Sequence, residues 1–152
     1  MKNRIDIISR EEVNKLIETC FPENTAVISF YDPPRDWRGR RYEGPVDYRG
    51  ICDRVFYVEC YDLDPESLGE VGLTFDEYFP EATELAEFIR CAVEDGMNII
   101  CQCEYGQSRS AACAAAIREY YDHSGIEIFA DYRYYPNQMI FNKLYAAMKA
   151  EK

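Results

Sequence analysis

The chain has 152 residues and a formal net charge of −11. That length predicts one domain, residues 1–152, able to bury a core of its own, and that charge argues against non-specific binding to nucleic acid or an anionic membrane surface. A hydrophobic content of 47% fits a globular rather than a disordered chain, and no apolar run approaches the ~20 residues of a membrane span.

The N-terminus, Met1 to Asp6, lacks the apolar core of a signal peptide. Seven cysteines make an odd count with no secreted-scaffold spacing, which predicts reduced thiols and a cytoplasmic location. A monomer is expected.

Ile5 to Ile8 read as a short strand. Ser9 and Glu12 then form a capping box, and Val13, Leu16, Ile17 and Cys20 give a helical stripe that ends near Phe21-Pro22. Ala26 to Phe30 is apolar on both faces, as a central strand is. Residues 31–54 form a long irregular segment rich in Gly and Pro. It holds six of the chain's twelve arginines, Arg35, Arg38, Arg40, Arg41, Arg49 and Arg54, with Trp37, Tyr42 and Tyr48 between them. Two readings stay open: a flap that steers phosphate and stacks a ring, or a solvated loop whose charges pair locally.

Val55 to Tyr61 read as the next strand, which delivers Asp62 and Asp64 at its end. A helix starts near Pro80, with Leu85, Phe88, Ile89, Ala92 and Val93 as its stripe and Gly96 as its stop. The apolar run from Met97 to Cys101 feeds a polar loop, Cys103 to Arg109, and a helix packed on small residues from Ser110 to about Tyr121. Tyr120, Tyr121, Tyr132, Tyr134 and Tyr135 read as core or rim, and His123 as a solvent residue past the helix end. A last helix runs from about Asn137 to Lys149. Strands alternating with helices predict an α/β fold with a central, mostly parallel sheet of four to five strands.

The loop carries the chemistry. Cys103 opens it and Arg109 closes it, with five residues between and Gly106 at the bend. Successive N–H groups and a helix N-terminus converging there favour an anion. A thiol beside such a nest ionises more readily than free Cys, and arginine's planar fork matches two phosphate oxygens. Cys101, Cys103 and Cys113 lack any zinc-site spacing. By strand alternation Cys101 belongs in the core, with resolution of an oxidised Cys103 as its other reading.

Cys103-x5-Arg109-Ser110, with Gly106 central, resembles the phosphate-binding loop of cysteine-dependent protein tyrosine phosphatases, closest to small dual-specificity-like members. Tyr61 to Asp64 resembles the segment that carries their general acid. Arg133, Pro136-Asn137, Phe141 and Leu144 resemble their C-terminal stretch. The likeness spans roughly Val55 to Met148. It implies a phosphatase-like domain in which Cys103 attacks phosphorus and forms a cysteinyl-phosphate. Arg109 and the N–H groups from Glu104, Tyr105, Gly106, Gln107 and Ser108 onward would hold the phosphoryl oxygens. Ser110 would hydrogen-bond the thiolate. Asp62 is the first choice of general acid, Asp64 the second and Asp76 the third. In this scheme Arg109 and the nest do the electrostatic work, so no metal or other cofactor is expected. The sequence departs from the pattern at Gln102, where the family usually has a His that helps hold the thiolate.

The implied activity is hydrolysis of phosphotyrosine, with phosphoserine and phosphothreonine also open. The partner is a phosphorylated protein or a small phosphate monoester. The alternative is a catalytically weak or inactive phosphate-binding module. Sulfur or arsenate chemistry on a similar loop is disfavoured by the Ser108-Arg109-Ser110 context.

Overall fold

The computed structural model describes residues 1–34, 39 and 41–150. Arg35, Trp37, Arg38 and Arg40 of the arginine-rich segment lie outside the described residues. Four strands, β1 (Ile5–Ser9), β2 (Thr25–Tyr31), β3 (Val55–Glu59) and β4 (Asn98–Cys103), form one sheet in the order β1-β4-β2-β3. All three pairings are parallel. Six helices accompany them among the described residues: α1 (Arg10–Glu18), α2 (Leu68–Val71), α3 (Ala82–Glu94), α4 (Arg109–Asp122), α5 (Ile126–Ala130) and α6 (Gln138–Ala150). This is the parallel α/β architecture that the alternating elements predict.

Side-chain alternation along the strands splits the core in two. Ala26, Ile28 and Phe30 of β2, with Ile99, Cys101 and Cys103 of β4, face a large layer that includes residues of α3, α4 and α6. Val27 and Ile100 face the other side, against Val13 of α1 and against Val46 and Tyr48. One nine-residue helix is too short to cover that face, so the chain between β2 and β3 supplies the rest. Tyr48 is only 2% exposed. Neither open reading of residues 31–54 holds for Tyr48: it is not a ring of a substrate-facing flap nor part of a solvated loop but a core residue of the second face.

Helix α1 starts where the capping box places it. Ser9 Oγ accepts from the Glu12 N–H, and Glu12 Oε1 accepts from the Ser9 N–H. It stops earlier than its stripe implies, with Thr19 as its C-cap, whose N–H and hydroxyl both donate to the Lys15 carbonyl. Cys20 thus lies beyond the helix and is exposed, not part of its buried stripe. The helices α2 and α5 are too short to write a period into the sequence.

No helix of the described residues is long and apolar enough to cross a membrane.

Candidate active site

The carboxyl ends of β2, β3 and β4 converge on one edge of the sheet, the position where ligands bind in open α/β folds. From there project Asp32 just past β2, Cys60 to Asp62 just past β3, and Cys103 at the end of β4. The loop after Cys103 turns at Gly106, whose φ is +67°. A Cβ there would lie 2.8 Å from backbone atoms of Ile8 and Ser9, so only glycine fits both the left-handed backbone and the close approach.

Three of the loop's carbonyls are held from outside it. Those of Glu104, Gln107 and Ser108 accept from the N–H groups of Arg10, Tyr135 and Asn137. In a planar peptide the N–H points opposite to the C=O, so the N–H groups of Tyr105, Ser108 and Arg109 are turned to the inside of the loop. Helix α4 begins immediately after, adding the positive end of a fourteen-residue helix.

Cys103 is buried at the floor of a pocket of about 190 Å³ lined also by Asp62, Tyr105, Gln107, Ser108, Arg109 and Tyr135. Its Sγ lies 3.1 Å from Ser110 Oγ. The Arg109 side chain is 4% exposed. One edge of its guanidinium is occupied: Nη1 donates to Asp32 Oδ1 (3.0 Å) and to the Cys60 carbonyl (2.7 Å), and Nη2 reaches Asp32 Oδ2 at 3.4 Å. Burial acts to lower its pKa, but Asp32, Cys103 and Asp62 more than offset this, and the net direction is upward. Its Nε is buried with no hydrogen-bond partner. A buried donor without a partner costs about 1–3 kcal/mol, and an oxyanion in this pocket would satisfy it.

The three acid candidates separate. Asp62 lines the pocket with Cys103. Its Oδ1 accepts from Ser108 Oγ (2.8 Å) and Asn137 Nδ2 (2.9 Å). Asn137 is itself fixed, because the same Nδ2 also reaches the Leu63 carbonyl and the Tyr78 hydroxyl while Oδ1 caps α6 through the Ile140 N–H. Asp64 instead closes its own turn: Oδ1 accepts from the N–H and the hydroxyl of Ser67, and these bonds hold its pKa below the ordinary value. It lines a neighbouring cavity of about 350 Å³, which shares Asp62, Ser108 and Tyr135 with the first. Asp76 is exposed and lines neither.

Gln102 points away from the pocket, onto the second face of the sheet. Its Oε1 accepts from Ser29 Oγ (2.5 Å) and the Tyr48 hydroxyl (2.9 Å), and its Nε2 donates to the Cys103 carbonyl (3.0 Å). An amide is the group that can do both at once. Ser29, Asp32 and Tyr48 were not legible as site residues, because they meet Gln102 and Arg109 through tertiary packing and not through a local motif. Asn137 was visible only as part of a resembling stretch. Arg41 and Arg49 are exposed and do not line the pocket, while Arg54 pairs with Asp95 at 2.5 Å. His123 caps α4 with a φ of +58° and an exposed side chain. Among the described residues, no group of three or more His, Cys, Asp or Glu side chains could hold a metal ion.

No protein-family model matches the sequence, and no curated protein matches it significantly. Solved structures do match. The PTP-2 phosphatase of Cydia pomonella aligns over 96% of this chain and 87% of its own, with a TM-score of 0.59 at 14% identity. Human DUSP28 aligns over 96% and 92%, with a TM-score of 0.54 at 14% identity. The human tyrosine phosphatase-like serine/threonine/tyrosine-interacting protein aligns over 93% and 87%, with a TM-score of 0.53 at 14% identity. The chain thus has the fold of the small tyrosine and dual-specificity phosphatases.

Proposed function

We propose that the protein hydrolyses phosphate monoesters, phosphotyrosine foremost, through a cysteinyl-phosphate on Cys103. The observation that carries this is the buried, unpartnered Nε of Arg109 beside Cys103 in the 190 Å³ pocket. With Asp32 holding the other edge of the guanidinium, the Nε side is left to clamp two oxygens of a bound phosphoryl group. The inward N–H groups take the remaining oxygens, and their fixed dipoles meet the charge of the transition state without reorganising. Cys103 attacks phosphorus in line. Asp62, with both of its hydrogen bonds on Oδ1, offers Oδ2 to protonate the leaving oxygen and later to deprotonate the attacking water. Ser110 donates to the sulfur as it leaves.

Two rings at the mouth support an aryl substrate. Tyr105 is 77% exposed and Tyr135 is 70% exposed, and both line the pocket. Such rings favour a flat phenyl group over the short side chain of phosphoserine. A pure phosphate-binding module has no use for a thiol held at 3.1 Å by a serine hydroxyl.

The test is hydrolysis of para-nitrophenyl phosphate by purified protein in the presence of a chelator, followed by acid quench and mass analysis. A phosphoryl adduct on the Cys103 peptide is expected. Turnover that survives Cys103→Ser would overturn the covalent route, and absence of turnover with retained phosphate binding would leave the binding module.

A further inference from the structure

The residue that follows the nucleophile is an acid. Glu104 sits in the loop that would receive a phosphate dianion, where a carboxylate repels both the ligand and the thiolate. Arg10 lies against it: Arg10 Nε donates to Glu104 Oε1 at 2.9 Å. Arg10 is itself in an unfavourable place, because a cation in the first turn opposes the dipole of its own helix. Arg10 reaches Glu104, the exposed Glu43 at 3.6 Å, and the Gly44 carbonyl. We infer that Arg10 is a positioning residue that neutralises Glu104, so that the loop after Cys103 presents a net positive field to an incoming oxyanion. This rests on the reading of that loop as an oxyanion cradle.

The side-chain bridge is not needed for the shape of the loop. The Arg10 N–H already donates to the Glu104 carbonyl at 3.1 Å, and the capping box of α1 fixes that N–H independently of the Arg10 side chain. Gly106 rests directly on Ile8 and Ser9. The shape of the loop after Cys103 is thus held by backbone, so that, apart from its tie to the Gly44 carbonyl, the guanidinium acts on this loop through charge. The Arg10 side chain is 12% exposed and that of Glu104 32% exposed, so the pair is screened less than an ordinary surface bridge.

The test compares two alkylating reagents at Cys103 in the full-length protein. Iodoacetate is an anion and iodoacetamide is neutral, and the ratio of their rates at the Cys103 peptide, followed by mass spectrometry, cancels the fraction of thiolate. Arg10→Gln is expected to lower that ratio by about tenfold at low salt, the scale of one uncompensated charge at close range in a partly buried site. Glu104→Gln is expected to raise it, and the double variant Arg10→Gln/Glu104→Gln to return near wild type. Inorganic tungstate titrated calorimetrically should follow the same order, with all differences shrinking as salt is raised.

A bridge that served only shape would lower the ratio in both single variants, with no return in the double, and that pattern overturns the inference. So does an unchanged ratio in Arg10→Gln. Should Arg10→Gln fail to fold, Glu104→Gln alone decides: a raised ratio supports the inference, and a lowered or unchanged one overturns it. None of these readouts needs turnover, so failure to hydrolyse an aryl phosphate would strike the proposed function and leave this result standing.

Discussion

At the scale of single residues, the proposed mechanism divides the site into groups that would react and groups that would hold them. Cys103→Ser is expected to abolish turnover while oxyanion binding persists, because Arg109 and the loop N–H groups are untouched; kinetics beside a tungstate titration check both halves. Arg109→Lys is expected to be nearly as damaging. A lysine ammonium is a point charge and cannot clamp phosphate with one edge while Asp32 holds the other. For the acid, Asp62→Ala is expected to lower kcat by roughly 10²–10⁴ for a phenolate leaving group, and much less for an activated aryl phosphate that needs little protonation. Asp64→Ala is the control: its Oδ1 caps the Ser67 turn and its side chain does not line the pocket with Cys103, so its loss should be mild and insensitive to the leaving group. A leaving-group dependence in Asp64→Ala instead would exchange the two roles.

At the scale of elements, the loop from Cys103 to Arg109 works because its neighbours leave it no other shape. Gly106→Ala places a Cβ 2.8 Å from the backbone of Ile8 and Ser9 at a φ of +67°. The obstacle is backbone, which cannot swing aside as a side chain would. The variant is expected to remain folded but to lose oxyanion affinity by an order of magnitude or more, measured by tungstate titration against its urea midpoint. Much of this element was legible beforehand. Cys103, Gly106, Arg109 and Ser110 stand within eight consecutive residues, and a loop closed by short-range bonds writes itself into local sequence. What was not legible came from across the sheet. Asp32 follows β2, and Ser29 meets Gln102 only through the register of β2 against β4. None of these has a spacing that a local pattern could reveal. The misreading of Tyr48 has the same origin. Its segment is irregular and rich in charge, yet Val46 and Tyr48 point inward because α1 leaves that face of the sheet open. Tyr48→Phe is expected to cost about 1–2 kcal/mol, the scale of a buried acceptor left short of one donor, and a denaturant midpoint measures it.

At the scale of the whole molecule, the −11 charge and the buried weak acids act on stability in one direction as pH rises. Burial pushes up the pKa of the Tyr48 and Tyr78 phenols, and it pushes the Cys60 thiol up to about 12. The sign follows from which state releases its protons first. In the unfolded chain a cysteine ionises near about 8.5 and a tyrosine near about 10; in the folded protein all three stay protonated beyond that. Ionisation therefore favours the unfolded chain, and the folded state is fully stable with respect to these groups only below the unfolded values. Above them, stability falls by up to about 1.4 kcal/mol per pH unit for each group, until its folded pKa is reached. Acidification from neutral pH brings no corresponding change from these three. The urea midpoint is thus expected to hold between pH 7 and 8 and then to fall with increasing slope between pH 9 and 11. Tyr48→Phe, though less stable at neutral pH, removes one titrating group and should flatten that slope. A wild-type midpoint that stays level to pH 11, or an undiminished slope in Tyr48→Phe, would mean that the phenol is not held neutral by the fold, and that the Tyr48–Gln102 contact beneath β4 opens to solvent.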